Sequence, residues 1–190
     1  MTLDFEEIKK LIPQRFPFIM IDKVLEVEPG KHAVSIKNVS GNDILLLGHF
    51  PEKAILPGAA IIEAMAQTAI ILFAIDNKTN MLHGNIKDNE NNPPESPTHT
   101  PLCKSGGEGD FKGEMGGFSD ENKGYYKKPI YYFGSVKARF LYPVVPGDQL
   151  KIKAINVKSL PNGAFVSAEA FVDNKKVSEA ELIFSVKDEA

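Results

Sequence analysis

Cysteine is almost absent from the chain, since its 190 residues contain only Cys103. A single cysteine excludes an internal disulfide framework and is typical of a reducing compartment. The chain also has little excess charge of either sign, because the formal net charge is −3 and no polybasic run occurs. Composition therefore gives no electrostatic reason to expect binding to nucleic acid or to a membrane surface.

Targeting and membrane-spanning segments are missing as well. The acidic residues 1–7 lack the basic and apolar parts of a secretory signal, and they lack the acid-poor composition of a transit peptide. The longest apolar stretch, about 59–75, is interrupted by Glu63 and Gln67 and is short for a membrane span. We expect a cytoplasmic protein, with a plastid-type organelle as the alternative if a leader has been removed.

Several signatures of catalysis are absent too. No serine lies in a nucleophile elbow, and no glycine-rich loop is followed by a helix and the Lys-Ser/Thr of a phosphate-binding motif. The candidate metal ligands in the polar middle of the chain, His83, His99 and Cys103, lack close ligand spacing. We therefore expect neither a metal nor another cofactor.

The clearest positive feature is one apolar helix. Pro57 and Gly58 supply a start signal, and the residues from Ala59 to Ala74 are almost all apolar or small. A helix that is apolar on every side is buried rather than lying on a surface. Glu63 is an exception, because such surroundings disfavour an ionised carboxylate.

The loop before this helix carries His49 within the Gly-His-Phe-Pro segment 48–51. In one interpretation, His49 and Glu63 are ordinary residues whose polar atoms are satisfied by hydrogen bonds. In the other, the loop folds back and places the imidazole opposite the carboxyl, giving a general base and a general acid in one apolar pocket. Free N–H groups at the helix start could then donate hydrogen bonds to a carbonyl oxygen of a substrate. Gly58 has no side chain, so this oxygen could approach the backbone closely. The spacing alone does not decide between them.

The rest of the chain has the pattern of a short helix and several strands. Thr2 or Asp4 is the expected cap of a helix that Pro13 stops. Strands are predicted at 18–28, 32–39, 130–142, 150–157, 164–172 and 177–186, with turn residues between them. This order predicts an α+β fold in which an antiparallel sheet curls around the buried helix, as one domain over 1–190.

The composition changes sharply between about 76 and 128. This stretch is rich in Asn, Gly, Pro and charged residues, so it cannot bury enough apolar surface to offset the entropy of ordering. We expect a disordered or loop insertion that interrupts the domain. A lid over the active site or a docking arm is one interpretation, and a tolerated surface insertion is the one we favour.

Seven segments, in order and with matching gaps, resemble one protein family. They are 11–18 (LIPQRFPF), 24–30, 48–51 (GHFP), 56–67 (LPGAAIIEAMAQ), 133–140, 143–148 (PVVPGD) and 180–184. They are similar to the hotdog-fold dehydratases of fatty-acid synthesis, specifically β-hydroxyacyl-[acyl-carrier-protein] dehydratases of the FabZ type. The resemblance covers roughly 5–75 and 130–187, and the insertion is atypical for the family. Glu rather than Asp at position 63 resembles the FabZ type more than the FabA type, which also isomerises.

The resemblance implies a hotdog fold and a homodimer, or a trimer of such dimers. It implies removal of water from a (3R)-3-hydroxyacyl chain on acyl carrier protein, giving the trans-2-enoyl thioester, in fatty-acid or related polyketide synthesis. It carries the catalytic pair of the family onto His49 and Glu63, facing each other across the subunit interface. Neutral His49 would take a proton from C2, and protonated Glu63 would give one to the departing C3 hydroxyl. The backbone N–H of Gly58 would stabilise the enolate-like oxygen.

Other residues are candidates for supporting roles. Gln67, one turn beyond Glu63, could orient the carboxyl or a water molecule, and Phe50 could support His49. Candidates to line an acyl tunnel, with ordinary core packing as the alternative, are Phe16, Phe18, Phe50, Ile61, Ile62 and Met65. Candidates to contact the acidic carrier or its phosphopantetheine phosphate, with plain solvation as the alternative, are Arg15, Lys137 and Arg139.

Two other functions are compatible with the same fold. A hotdog acyl thioesterase would hydrolyse the same kind of thioester, and a non-catalytic acyl-binding module would only hold it. The ordered pair of His49 and Glu63 disfavours the thioesterase. A binding module has no need for an acid in a buried helix facing a histidine.

Overall fold

The computed structural model of the protein describes residues 1–50, 52–84, 130–160 and 163–187. Its helices are α1 (Phe5–Leu11) and α2 (Gly58–Gly84), and a short 3₁₀ turn spans Ile44–Leu46. Its strands are β1 (Lys23–Glu28), β2 (His32–Asn38), β3 (Ile130–Phe140), β4 (Gln149–Leu160), β5 (Gly163–Val172) and β6 (Lys175–Lys187).

The six strands form one antiparallel sheet in the order β1-β2-β4-β5-β6-β3. Side chains alternate between the faces of a strand, and in β4 Leu150, Ile152 and Ala154 are buried while the residues between them are exposed. The buried face packs against α2. The predicted α+β class, with an antiparallel sheet around one core helix, is confirmed.

Helix α2 forms the centre of the core. Ala64 and Met65 have no exposed surface, as the apolar pattern predicts. The stretch Gly58–Asp76 could cross a membrane by length and composition, but 67% of its most apolar window is buried inside the protein, as in a core helix. Thr68 also ties α2 to the sheet, because its hydroxyl donates to the Ala64 carbonyl and accepts from the Ser35 hydroxyl at 2.6 Å.

Two boundaries differ from the sequence predictions by five residues or more. Helix α2 continues to Gly84, past the point near Asp76 where the composition predicts the insertion to begin. No proline or glycine occurs from 59 to 83, so nothing in the backbone ends the helix earlier. The rest of the predicted insertion, from 85 onward, lies outside the described residues.

The second difference is that β1 begins at Lys23 rather than at Phe18. The carbonyl of Phe18 and the N–H of Met20 are hydrogen-bonded to the side chain of Gln67 instead of to a neighbouring strand. The residues before β1 therefore form an irregular segment that crosses α2 next to Glu63.

Candidate active site

Glu63 lies early in α2 and is only partly exposed. Its carboxyl accepts a hydrogen bond of 2.8 Å from Gln67 Nε2. Burial raises the pKa of Glu63 above its ordinary value and outweighs the side-chain amides of Gln67 and Gln14, which favour the ionised form. Glu63 therefore keeps its proton to a higher pH than a solvated glutamate, as a general acid requires.

Gln67 has no exposed surface, and every part of its amide is used. Its Oε1 accepts from the Met20 N–H at 2.8 Å, while its Nε2 donates to the Phe18 carbonyl at 2.7 Å and to Glu63 Oε1. A backbone N–H can only donate and a carbonyl can only accept, so the orientation of this amide is fixed. The supporting role predicted for Gln67 thus has a clear geometric basis: it is a fixed donor to Glu63.

His49 lies in the loop between the 3₁₀ turn and α2. Its Nδ1 is 2.9 Å from the Ile55 carbonyl oxygen. Because a carbonyl oxygen only accepts, Nδ1 carries the hydrogen in the neutral ring and Nε2 keeps its lone pair. His49 is therefore held in the tautomer that can take a proton at Nε2.

Backbone turns hold this loop in place. Gly48 has a φ of 79° and Phe50 a φ of 61°, both in the left-handed region, so the chain reverses on either side of His49. The rings of His49 and Phe50 pack at a centroid distance of 4.2 Å. The His49 N–H donates to the Leu46 carbonyl at 3.3 Å, which connects the loop to the 3₁₀ turn.

Sequence reasoning missed the ion pair behind this turn. Lys37 of β2, only 7% exposed, donates to Asp43 Oδ2 at 3.0 Å, and Asp43 Oδ1 accepts from the Leu45 N–H at 3.0 Å. Asp43 therefore caps the turn and is itself held by a nearly buried lysine. The signal for Asp43 was present, because a polar Ser-Gly-Asn-Asp break precedes the apolar residues 44–47.

Gly58 begins α2 and lies against the ring of Phe140 at the end of β3. A Cβ built on Gly58 would lie 2.7 Å from Phe140 Cζ. In this structure the ring of Phe140 thus occupies the space in which the sequence analysis expected a ligand to approach. Phe140 is a site residue that the sequence analysis did not single out.

His49 and Glu63 are not in contact within one chain. Both residues are described, and neither a hydrogen bond nor an ion pair joins them; His49 bonds to Ile55, and Glu63 bonds to Gln67. One chain therefore holds the two candidate catalytic residues without bringing them together.

The predicted tunnel residues fall into two groups. Phe16, 82% exposed, is solvent-accessible together with Phe18 and Phe50, and Ile62 is partly buried. Ile61 and Met65 are almost completely buried in the core, where they pack against the sheet. The alternative of ordinary core packing therefore holds for Ile61 and Met65, while the accessible aromatic side chains lie beside the loops that carry the site.

Two of the three predicted carrier contacts, Arg15 and Arg139, have polar partners within the chain. Arg15 Nη1 donates to the carbonyls of residues 12, 13 and 14 at 2.9, 3.2 and 2.7 Å. Arg139 pairs with Glu179 at 3.4 Å, and Lys137 lies opposite Glu181 across β3 and β6. The strand cations line a shallow groove on the outer sheet face together with acidic residues that offset their charge.

The described residues contain no group of three or more His, Cys, Asp or Glu side chains that could hold a metal ion. The side chains of His83, His99 and Cys103 are not among those described.

Comparisons with known proteins agree with the fold and the segments above. Residues 12–90 match the FabA-like domain family. The chain is 38% identical over 186 residues to the 3-hydroxyacyl-[acyl-carrier-protein] dehydratase FabZ of Clostridium botulinum strain Langeland, covering 97% of this chain and 96% of the relative. It is 36% identical over 188 residues to the FabZ of Clostridium novyi, covering 98% and 99%.

Solved structures are similar in fold at low identity. A chain of the dehydratase heterocomplex ApeI:P from Xenorhabdus doucetiae has a TM-score of 0.64 at 13% identity, covering 96% of this chain and 91% of its own. A sigma28-regulated virulence protein from Campylobacter jejuni has a TM-score of 0.55 at 13% identity, covering 98% and 93%. These similarities, with the sheet and central helix described above, establish the hotdog fold.

Proposed function

The chain belongs to the FabZ family of 3-hydroxyacyl-[acyl-carrier-protein] dehydratases, and on that premise we propose that it dehydrates a (3R)-3-hydroxyacyl chain carried by acyl carrier protein. The product is the trans-2-enoyl thioester, and the pathway is fatty-acid synthesis. The observation that carries the proposal is Glu63, a partly buried carboxyl of raised pKa that the Gln67 amide holds near the start of the core helix.

The reaction needs one base and one acid. His49 Nε2 takes the proton from C2, which the adjacent thioester makes acidic. The electrons of the C2–H bond form the C2=C3 double bond as the C3–O bond breaks, and Glu63 gives its proton to the departing hydroxyl, which leaves as water. The N–H of Gly58 stabilises the enolate-like thioester oxygen once the Phe140 ring gives access to it.

We infer that the complete site needs two copies of the chain. In one chain His49 and Glu63 have separate partners. Strand β3 is an edge of the sheet, with its outer side unpaired in the chain described here. It carries exposed apolar side chains at Tyr132, Phe133, Val136 and Phe140. An edge strand of this length with exposed aromatics requires a cover, and a second β3 would place His49 of one subunit near Glu63 of the other.

We place the reaction in the cytoplasm, because the relatives are bacterial dehydratases. The plastid alternative receives no support from these relatives. Arg15, Lys137 and Arg139 remain candidates for carrier contact, although Arg15 and Arg139 already have partners within the chain.

The proposed function is tested by following the absorbance of the enoyl thioester during hydration and dehydration, for wild type and Glu63→Gln. The substitution keeps size and hydrogen bonding but removes the acid, so the rate should fall about 10²–10⁴-fold in a folded protein. Undiminished activity in E63Q would contradict the role of Glu63. A wild type inactive on both carrier-bound and coenzyme A substrates would contradict the dehydratase proposal.

The two-copy site is tested by mixing His49→Ala and Glu63→Gln chains after co-refolding. If the pair acts across subunits, each mixed dimer contains one intact pair, and the mixture should recover about a quarter of wild-type activity. If the pair acts within one chain, no intact pair forms and the mixture stays inactive. Each variant refolded alone is the control.

A further inference from the structure

We propose that Arg15 is a positioning residue for the catalytic acid, because it folds the loop whose backbone holds the amide of Gln67 against Glu63. The role in turnover rests on the proposed function, whereas the path of hydrogen bonds from Arg15 to Glu63 is a property of the fold. This role differs from the carrier contact that the sequence analysis considered for Arg15, which would use the charge of the side chain on another molecule.

The loop from residue 12 to residue 18 connects α1 to the segment before β1 and has no regular secondary structure. Two of its residues, Pro13 and Pro17, have no backbone N–H and cannot donate to a neighbouring carbonyl. The conformation of this loop therefore depends on individual hydrogen bonds rather than on the ladder of a helix or a sheet.

Arg15 supplies such hydrogen bonds from one nitrogen. Its Nη1 donates to the carbonyls of residues 12, 13 and 14 at 2.9, 3.2 and 2.7 Å. Its own carbonyl accepts from the Phe18 N–H at 2.7 Å, so the residue holds the loop on both sides. A guanidinium suits this arrangement, because it stays charged and its N–H groups are fixed in one plane.

The same loop leads to the two backbone groups that orient Gln67. The Phe18 carbonyl accepts from Gln67 Nε2 at 2.7 Å, and the Met20 N–H donates to Gln67 Oε1 at 2.8 Å. Gln67 Nε2 also donates to Glu63 Oε1 at 2.8 Å. Phe18 is thus bonded to Arg15 through its N–H and to Gln67 through its carbonyl, so it connects the loop to the acid.

The loop is the part of this path that can move. Gln67 is completely buried on the core helix, whereas Arg15 and Phe18 are exposed. Without the guanidinium, the three carbonyls would bind water in many conformations, and the loop would no longer hold Phe18 in one place. The amide of Gln67 would then lose its fixed orientation, and Glu63 would lose its donor.

The path is tested without substrate by infrared spectroscopy of Glu63. The C=O band of the protonated carboxyl is assigned by its loss in Glu63→Gln and compared among wild type, Arg15→Met and Lys10→Met. Lys10 is an exposed cation on α1, so K10M is a matched control for the loss of one positive charge. We expect the band to move to higher wavenumber in R15M, because the carboxyl C=O loses an N–H donor, and to stay in place in K10M.

An unchanged band in R15M would overturn the proposal. If R15M does not fold, Arg15→Lys keeps the charge but not the planar group of donors, and it should shift the band in the same direction. An unchanged band in R15K would then overturn the proposal in the same way.

Kinetics separate positioning from contact with the carrier. The substrate is an uncharged N-acetylcysteamine thioester, which has neither the carrier nor its phosphate. In R15M, kcat on this substrate should fall about tenfold with KM unchanged within about twofold, because the acid is misplaced while substrate binding is not altered. K10M should keep the wild-type rate. A loss confined to the carrier-bound substrate would mean that Arg15 contacts the carrier, and it would overturn the proposal.

The double variant of Arg15→Met and Glu63→Gln tests whether Arg15 acts through the acid. Adding R15M should lower the residual rate of E63Q by less than about twofold, because the group that Arg15 positions is already gone. A further loss of about tenfold would show that Arg15 acts by another route, and it would overturn the proposal. A wild type without dehydratase activity would refute the proposed function and leave the infrared result to decide the path.

Discussion

The acid side and the base side of the proposed site are held by different kinds of interaction. Glu63 stands on the core helix, where the buried amide of Gln67 holds its carboxyl. His49 stands on a loop held by backbone turns, with the Lys37–Asp43 ion pair behind it. An acid of raised pKa needs surroundings that a core provides, whereas the histidine needs only one tautomer and the right position.

This difference predicts which properties change together. A substitution on the acid side should alter folding and the titration of Glu63 at once, because the same contacts serve both. A substitution on the base side should alter the rate and leave the titration of Glu63 where it is. The predictions that follow test this separation.

The largest effect is expected for Gln67→Met. The Met20 N–H and the Phe18 carbonyl would both lose their partner, and a buried unpaired group costs about 1–3 kcal/mol. The free energy of unfolding should fall by about 2–6 kcal/mol, and activity should fall by more than about 100-fold, since Glu63 loses its fixed donor. Urea denaturation measures the free energy of unfolding, and initial rates measure the activity. Gln149→Met is the control, and a Q67M protein as stable as wild type would contradict the prediction.

The next effect is expected for Lys37→Met on the base side. Breaking a nearly buried pair leaves Asp43 without its cation and should cost about 3 kcal/mol of unfolding free energy. The turn before His49 should loosen, so kcat should fall about tenfold. The pH midpoint of Glu63, read from the infrared C=O band of its protonated carboxyl, should stay unchanged. Lys31→Met is a matched control, because it removes a fully exposed pair with Glu28 and should leave the free energy of unfolding nearly unchanged. A shifted Glu63 midpoint in K37M would break the separation of the two sides.

A smaller effect is expected where the two sides meet, at Gly58. The Cβ of Gly58→Ala would lie 2.7 Å from Cζ of Phe140, but that ring is half-exposed and can turn away, so the free energy of unfolding should fall by no more than about 1 kcal/mol. Adding Phe140→Leu should recover most of this stability. Activity should fall about tenfold in Gly58→Ala and stay low in the double variant, because the methyl group still blocks a carbonyl from the helix start. Full recovery of activity in the double variant would mean that Gly58 matters only for packing against Phe140.

The acid side could be predicted further from the sequence than the base side. An apolar run of helical length predicts burial, and a single glutamate within it is conspicuous, so α2 and Glu63 follow from a local pattern. The position of Gln67 beside Glu63 follows from their spacing of one helical turn.

The hairpin between β5 and β6 was also predictable, because Asp173 and Asn174 are residue types that tolerate the positive φ of such a turn, and both adopt it here.

The remaining contacts join residues that are distant in sequence and carry no local signal of each other. Lys37 looks like a solvent-facing strand residue, and only the fold places Asp43 against it. Phe140 meets Gly58 because β3 ends over the start of α2. Gln67 meets the Phe18 carbonyl and the Met20 N–H because the segment before β1 crosses α2. The family resemblance marked this segment, but composition and periodicity could not assign it a partner.

The smallest effect expected is on the pH dependence of stability. Unfolded Glu63 titrates near its ordinary pKa of 4.5, and burial raises the pKa of Glu63 in the folded protein. Between these two values the folded state holds a proton that the unfolded state has lost, so the free energy of unfolding falls as pH rises through this window. Stability from this group is complete below pH 4.5 and lost above the folded pKa.

Glu63→Gln removes this dependence, because an amide does not titrate. The melting temperature of E63Q should therefore exceed that of wild type by a few degrees above the window, and the difference should shrink as pH falls toward 4.5. Thermal melts across pH measure it, with Glu6→Gln on the exposed face of α1 as the control. Parallel curves for wild type and E63Q would mean that Glu63 titrates alike in both states. Burial in the core would then have no effect on the pKa of Glu63, and the contrast between the two sides of the site would not hold.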